Sequence, residues 1–404
     1  MTRKKHLTLI LVLGSLTALG PFSIDMYLPG FTAIAKDLRT NTAEVTLSLS
    51  SFFIGISAGQ LLYGPLLDRF GRKPPLYFGL ILYILASAGC AFSTSIDSLI
   101  IWRLVQAIGS CAAAVASVAF VRDLFPPEES AQVFSLLVLV LGVSPMLAPT
   151  VGSYVIDAFG WQSVFVILGI LSLMMLLSVL FWIPDTIKPN PAYSLLPAPI
   201  LKGFLAVLKE PHFYTYAFAG AFSIAGLLAY VAGSPQIFME IFHVNGKVYG
   251  WIFAVLSVGL IGSSQVNSQL LKKYTSVQIL HKAMLALSFT GTLLFIGSYL
   301  NILGLAGTLI LIFIFLCCTG FILPNTSALT MAPFSKNAGS ASALMGASQM
   351  GIGALASIAI STFNNHTPIP MATVMMITAI IALLIFLMGS KKIAVLELTH
   401  ISVR

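Results

Sequence analysis

Charge is scarce in this sequence: 13 acidic residues and 21 lysines and arginines among 404, or 8% of the chain. That cannot cover a water-facing surface, which excludes a soluble enzyme, a disordered scaffold and a nucleic-acid binder together. Cysteine is scarce too. Cys90, Cys111, Cys317 and Cys318 all lie in apolar stretches, where they act as small hydrophobes rather than as a disulfide framework or metal site. His6, His212, His243, His281, His366 and His400 fall in tails, loops or span ends and form no ligand pair, so a membrane-embedded metalloenzyme is unsupported. No G-x-x-x-x-G-K-[ST] pattern occurs, since Gly246-Lys247 is followed by Val248, and a self-contained ATP-driven pump is therefore excluded. The chain is expected to need no cofactor and to be no enzyme.

What is present is apolar sequence, 58% of all residues. Stretches of about 20 residues, enough to cross a bilayer as helix, are marked at approximately 7–31, 44–66, 76–94, 99–121, 132–156, 162–183, 213–238, 247–271, 280–300, 304–328, 339–363 and 369–389. These runs are continuously apolar, so helices rather than a barrel must satisfy their backbone groups. The expected class is an all-α polytopic membrane protein with twelve transmembrane helices. The first apolar stretch imitates a signal peptide, but it reads as the first span because many equivalent segments follow.

An even number of spans puts both termini on one side, and Lys and Arg decide which. Seventeen fall on the side of the termini, against Lys36, Arg39 and Lys247 opposite and Arg103 within a span. Both termini are therefore expected in the cytoplasm, and the net charge of +8 records topology rather than affinity for nucleic acid. The longest polar interval divides six spans from six: residues 1–184 form an N-terminal bundle, 185–212 a cytoplasmic linker and 213–404 a C-terminal bundle with a short tail. Leu201 to Leu208 has the makings of a short interfacial helix. Pro184, Pro189, Pro191, Pro197 and Pro199 argue instead for a linker that lets two bundles rock. The glycine-rich stretch at Gly142 and Gly152 is echoed near Gly346, Gly351 and Gly353, an internal symmetry found in many secondary transporters.

Between the second and third spans runs Gly64-Pro65-Leu66-Leu67-Asp68-Arg69-Phe70-Gly71-Arg72-Lys73-Pro74. Gly71 permits a tight turn with φ above zero, and Asp68 with Arg69, Arg72 and Lys73 can form charge-assisted hydrogen bonds, a latch made in one conformation. Positive-inside anchoring alone would explain the cations but not Asp68 or the paired glycines. This segment resembles the signature loop of the major facilitator superfamily. Arg103-Leu104-Val105-Gln106-Ala107-Ile108-Gly109 is similar to that superfamily's fourth-helix motif. Gly142-Val143-Ser144-Pro145-Met146-Leu147-Ala148-Pro149-Thr150-Val151-Gly152 is similar to the fifth-helix motif of drug:proton antiporters, with Ser144 and Ser153 where that pattern has glycines. Pro21-Phe22-Ser23-Ile24-Asp25-Met26-Tyr27-Leu28-Pro29 resembles the first-helix signature of the Bcr/CflA branch, the bacterial exporters related to bicyclomycin- and chloramphenicol-resistance proteins. The resemblance spans all twelve segments, is sharpest in the first half and implies two pseudo-symmetric bundles of six helices.

Independently of family, Asp25 is the one carboxylate well inside an expected span, and an intramembrane acid is a functional candidate by default. A carboxyl that passes between dry and wet surroundings exchanges a proton, as proton coupling requires; the alternative is a hydrated, structural acid near the outer interface. Pro21 and Pro29, four residues to either side, free backbone carbonyls and bend the helix. Arg103 either pairs or competes with Asp25, or snorkels to the interface. In the fifth helix Pro145 and Pro149 make a kink, while Gly142 and Gly152 allow close approach; the resemblance implies that this kink controls leakage and conformational exchange. Gly55 and Gly59 suit packing within the chain better than a dimer face, so a monomer is expected.

Candidate cavity groups are neutral or apolar: Met26, Tyr27, Gln60, Gln106, Phe222, Tyr230, Asn325, Met345 and Gln349. Such a lining suits an amphipathic or weakly cationic compound better than a polyanion. The expected function is proton-coupled export of small amphipathic compounds or drugs by alternating access in a bacterial plasma membrane. The alternative is a proton-driven importer or exporter of one metabolite. Its partners would be the small-molecule substrate, protons from the gradient that supplies the energy, and the lipid bilayer.

Overall fold

The computed structural model describes residues 3–186, 197–334 and 337–402. Residues 187–196 of the expected linker, with Lys188, Pro189 and Pro191, lie outside the described residues, as do Lys336, Arg404 and the side chains of Arg3, Lys4 and Lys5. Among the described residues every regular element is helical. They are α1 (Arg3–Asp25), α2 (Phe31–Asp37), α3 (Thr42–Phe70), α4 (Lys73–Ala91), α5 (Ile96–Leu124), α6 (Pro127–Phe159) and α7 (Gln162–Trp182), then α8 (Pro197–Leu208), α9 (Phe218–Pro235), α10 (Gly246–Leu270), α11 (Ser276–Tyr299), α12 (Gly304–Met331), α13 (Ala338–Thr362) and α14 (Ile369–Ser402). Twelve segments are long and apolar enough to cross a bilayer, α1 and α2 together making the first and α9 with its flanking π-helical turns the seventh.

Local chemistry sets the helix ends. Asn41 Oδ1 accepts from the Glu44 amide at 2.9 Å to start α3, and Ser95 Oγ caps α5 through the Ser98 amide at 3.3 Å. Thr275 and Gln278 form a reciprocal capping box at the start of α11. Two expectations need correction. Residues 64–70 are not loop but the last turns of α3, because helical hydrogen bonding continues past the apolar stretch until Gly71, whose φ of 82° stops it. The segment from Pro197 is helix rather than proline-stiffened linker, because Pro197 and Pro199 fall in the first turn, where amide protons have no intrahelical partner to lose.

Packing divides the chain into two compact units, Met1–Leu196 with His243–Val255, and Pro197–Phe242 with Leu256–Arg404. In the first, small residues let helices touch backbone to backbone. Gly55 of α3 abuts Ala107 and the Leu104 carbonyl of α5. Gly79 of α4 meets Ala112 of α5, and α7 turns Ile170, Leu173, Met174 and Phe181 outward as a lipid-facing surface. The start of α10 joins this unit through Thr150 Oγ1, which donates to the Gly250 carbonyl at 3.2 Å, and through Lys247, 2.7 Å from Asp157. In the second unit α9 is the central helix. Its Gly220 and Gly226 admit Thr326 and Phe315 of α12, its Gly233 admits Met371 of α14, and Gly353 of α13 admits its Leu228.

Gly55→Ala would put a Cβ 2.6 Å from both the Ala107 Cβ and the Leu104 carbonyl. That overpacking is expected to cost about 1–3 kcal/mol and to lower the unfolding temperature in detergent, read by intrinsic fluorescence. Gly64→Ala, with nothing within 4 Å of the added Cβ, is expected to leave it unchanged or raise it. Equal unfolding temperatures for the two variants would contradict the close approach of α3 and α5.

Candidate functional site

The first span breaks at Asp25. Pro29 has no amide proton to offer the Asp25 carbonyl, so the α-helix cannot continue past Asp25. The Met26 amide closes the last turn on Phe22 at 3.0 Å, and the Gly30 amide bonds Tyr27 at 2.9 Å in a single 3₁₀ turn before α2 resumes. The break is wrapped in protein. Asp25 is 4% exposed, and no hydrogen bond or ion pair to its carboxyl occurs among the described residues. Gly152 of α6 lies against the Met26 carbonyl so closely that an added Cβ would sit 1.9 Å from that oxygen, which accounts for glycine at this place in the fifth span.

Arg103 does not snorkel. Its residue is fully buried, with the guanidinium carbon 4.3 Å from the Tyr27 ring centroid and 4.1 Å from that of Phe52; Phe165 is farther, at 5.7 Å. Nη1 donates to Gln106 Oε1 at 2.6 Å and Nη2 to the Ser23 carbonyl at 2.9 Å, while Nε has no acceptor. Arg103 and Asp25 thus form no ion pair. The arginine is held by a backbone carbonyl two residues before the acid and by ring faces, and it staples α5 to the broken end of α1.

The polar network has a fixed direction. Gln106 Nε2 donates to Ser87 Oγ at 2.8 Å, and Ser87 donates to the Tyr83 carbonyl at 2.8 Å. Ser23 Oγ donates to the Leu19 carbonyl at 2.6 Å, so the Tyr83 hydroxyl, also at 2.6 Å, must donate to Ser23. By the same count Ser48 donates to Val45 and accepts from the Tyr27 hydroxyl at 3.2 Å. Met26, Tyr27 and Gln106, expected in a cavity, are enclosed in this packing. Sequence reasoning passes over Phe52, Tyr83 and Ser87 and gives Ser23 no role beyond its place in the first-helix signature; all four look like ordinary span residues until the fold gathers them around Arg103.

A second constellation lies on the termini side of the first unit. Arg72 Nη1 donates to Asp68 Oδ1 at 2.7 Å and its Nε to Asp123 Oδ2 at 2.9 Å. The same Asp123 oxygen accepts from Thr186 Oγ1 at 3.0 Å, and Lys73 reaches Asp185 at 3.4 Å. Burial disfavours the Arg72 charge, but the hydrogen bonds and charges of Asp123 and Asp68 outweigh it and raise the guanidinium pKa. Arg72 therefore ties the end of α3 to the end of α5. Gly71 makes the turn that aims it, Gly64 borders open space, and Arg69 lies beside the Phe70 ring. Asp123 escapes sequence reasoning, although an acid at a span end facing a basic loop was a usable signal.

In α6 the helix runs through Pro145 and Pro149 without interruption. Gly142 is half-buried, and Ser144 and Ser153 turn their hydroxyls onto the Val140 and Thr150 carbonyls of their own helix. Within the second unit, Tyr230 and Asn325 are buried, while Phe222 and Met345 are half-buried. Asn325 Nδ2 donates to Asn267 Oδ1 at 2.7 Å, joining α12 to α10. Phe222 borders a groove of about 490 Å³ along α13 and α14, together with Leu355, Phe363 and Thr373. Met345 packs against the cluster of Val207, Phe213 and Ala341. Asn267 is a further polar group that sequence reasoning passes over, visible only as an amide inside an apolar run.

A sequence model of the Major Facilitator Superfamily matches residues 13–358. The chain is 33% identical over 397 residues to the uncharacterized MFS-type transporter YdgK of Bacillus subtilis (strain 168), covering 97% of each chain. It is 32% identical over 384 residues to a bicyclomycin resistance protein homolog of Haemophilus influenzae, covering 95% of this chain and 96% of the relative. The crystal structure of a D-xylose-proton symporter has the same fold, with a TM-score of 0.73 and 15% identity over 94% of this chain and 97% of that one. With twelve membrane-spanning helices and these relatives, the chain is a multi-pass membrane transporter rather than an enzyme, and it belongs to the Bcr/CflA branch of the major facilitator superfamily.

Proposed function

We propose that this transporter exports small amphipathic compounds in exchange for protons, and that Asp25 carries the proton. The observation that supports this most is a carboxyl buried at a helix break without a hydrogen bond or ion pair among the described residues. The charged and neutral forms of such a group differ strongly in free energy, so its proton occupancy responds to whatever wets, pairs or crowds it. An arriving compound beside Met26 and Tyr27 would be one such influence. Arg103, engaged with Gln106 and the Ser23 carbonyl, keeps the break in place without neutralising the acid. Support for export comes from the relative named for bicyclomycin resistance.

In this account the halves 1–184 and 213–404 alternate access to Met26, Tyr27, Gln106, Phe222, Tyr230, Asn325 and Met345, with 185–212 as the linker. Asp25 takes a proton from outside as cargo leaves and releases it inward before the next cargo is exported. One charge moving down the membrane potential supplies roughly 2.3 kcal/mol per 100 mV, with the pH gradient added, enough for modest uphill export. The protein works as a monomer in a bacterial plasma membrane with both termini cytoplasmic, and it needs no cofactor beyond the proton gradient. Asp68, Arg72 and Asp123 form a cytoplasmic latch that is made and broken in the cycle, and the kinked fifth helix at Gly142, Pro145, Pro149 and Gly152 limits leakage.

Efflux of a phenicol and a lipophilic dye from cells lacking their main exporters is expected to be lost on adding a protonophore, and to be lost equally in Asp25→Asn. Proton-dependent efflux that survives Asp25→Asn would remove Asp25 from the mechanism, and wild-type protein that raises accumulation would make it an importer. For the latch, Arg72→Lys keeps the charge but not the two-sided geometry. It is expected to slow efflux about as much as Asp123→Asn, and the double variant no further than either alone. Fully multiplicative losses in that cycle would mean that the two residues act independently.

A further inference from the structure

The two units treat their termini-side cations differently. In the first, Arg72 and Lys73 are paired with Asp68, Asp123 and Asp185. In the second, the chain contains no Asp or Glu at all between Glu240 and Glu397, a stretch that holds Lys272, Lys273 and Lys282. No ion pair forms in the second unit among the described residues. Span order puts the connection 271–275, between α10 and α11, on the same side of the membrane as the termini. Lys272 and Lys273 stand exposed in it, and Lys282, exposed on α11, has its ammonium 5.6 Å from the Tyr274 ring.

Lys282 borders a groove, and Lys272 and Lys273 fall in the chain between Leu270 and Tyr274, which line it too. A cavity of about 350 Å³ opens on the surface of this unit, walled by Ile279, Ala283 and Ala286 of α11 and Cys318 and Phe321 of α12. Lys282, Tyr274 and Gln278 also line it, and no acidic residue does. Its walls are apolar where they face the interior of a bilayer, and its polar groups gather toward one end. The volume suits part of an acyl chain rather than a whole lipid.

We propose that this groove binds an anionic phospholipid from the leaflet on the termini side, with its phosphate held by Lys282 and by Lys272 and Lys273, and an acyl chain lying against Ile279, Ala283 and Ala286. Exposed cations at the membrane surface with no acidic side chain to neutralise them attract anionic headgroups, which the leaflet holds at that depth. Gln278 adds an amide donor, and the Tyr274 ring holds the Lys282 ammonium over the groove. The assignment rests on charge, topology and shape and does not depend on the cargo or on proton coupling.

Delipidated full-length protein, mixed with equal amounts of phosphatidylglycerol and phosphatidylcholine of identical acyl chains, would be read by native mass spectrometry. Phosphatidylglycerol is expected to be retained in preference, and Lys282→Ala to reduce that preference by roughly fivefold, the contribution of one cation at a membrane surface. Ala286→Phe fills the groove without touching a charge and is expected to reduce retention of both lipids while leaving their ratio. Unfolding temperatures measured in parallel separate lost binding from lost fold. Equal retention of the two lipids by the wild type, or a preference unchanged when Lys272, Lys273 and Lys282 are all replaced by Ala, would overturn the proposal. Retention unaffected by Ala286→Phe would do the same for the groove.

Discussion

A charged group inside a bilayer must find its counterparts within the protein, and Arg103 is where this chain meets that demand most severely. Its guanidinium is enclosed by Tyr27, Phe52 and Phe165 and bonded to Gln106 and the Ser23 carbonyl. Each of those partners fixes something else. Gln106 continues through Ser87 to α4, and the Ser23 hydroxyl receives the Tyr83 proton, so α1, α4 and α5 share one polar network. The broken end of α1, and with it Asp25, is held by this network rather than by hydrogen bonds of its own. A buried cation whose hydrogen bonds go to neutral acceptors stabilises the place where an acid sits without cancelling that acid.

Small residues supply the second condition. The lipid offers no hydrophobic drive for one helix to prefer another, so close backbone contact must do more of the work. Gly55 and Gly79 bring α3 and α4 onto α5, and Gly152 brings α6 onto the carbonyl of Met26, the residue after the acid. The break in the first span is thus pinned from one side by Arg103 and from the other by α6, a continuous helix that carries two prolines. In the second unit the same device surrounds α9, with glycines facing Phe315, Thr326 and Met371. There the described residues form no ion pair, and the Asn267–Asn325 pair supplies a polar bond between α10 and α12.

Much of this was legible in the sequence because bilayer thickness imposes a length and lipid imposes a composition, and both can be read residue by residue. The number of spans and the turn at Gly71 follow from such local rules, and so does a disturbed first helix at Pro21 and Pro29, expected as a bend where the structure has a break. What was not legible depends on which helix faces which. Phe52, Tyr83 and Ser87 acquire a role only once α3 and α4 lie against α5, and Asp123 becomes the second partner of Arg72 only because α5 ends beside the turn after α3. The extension of α3 through Asp68 was obscured by reading the end of apolar sequence as the end of helix. The helix at Pro197 was obscured by counting prolines without noting their position in the first turn.

The account stands on one exchange: cargo and proton compete at the end of the broken helix, so binding one should release the other. Purified wild-type protein in weakly buffered detergent solution, mixed with a transported compound in the presence of a pH-indicator dye, tests this without any membrane or gradient. The account predicts that the medium acidifies on mixing with the wild type and does not with Asp25→Asn. A compound that binds the wild type with no proton release, or releases the same amount from both proteins, would contradict it.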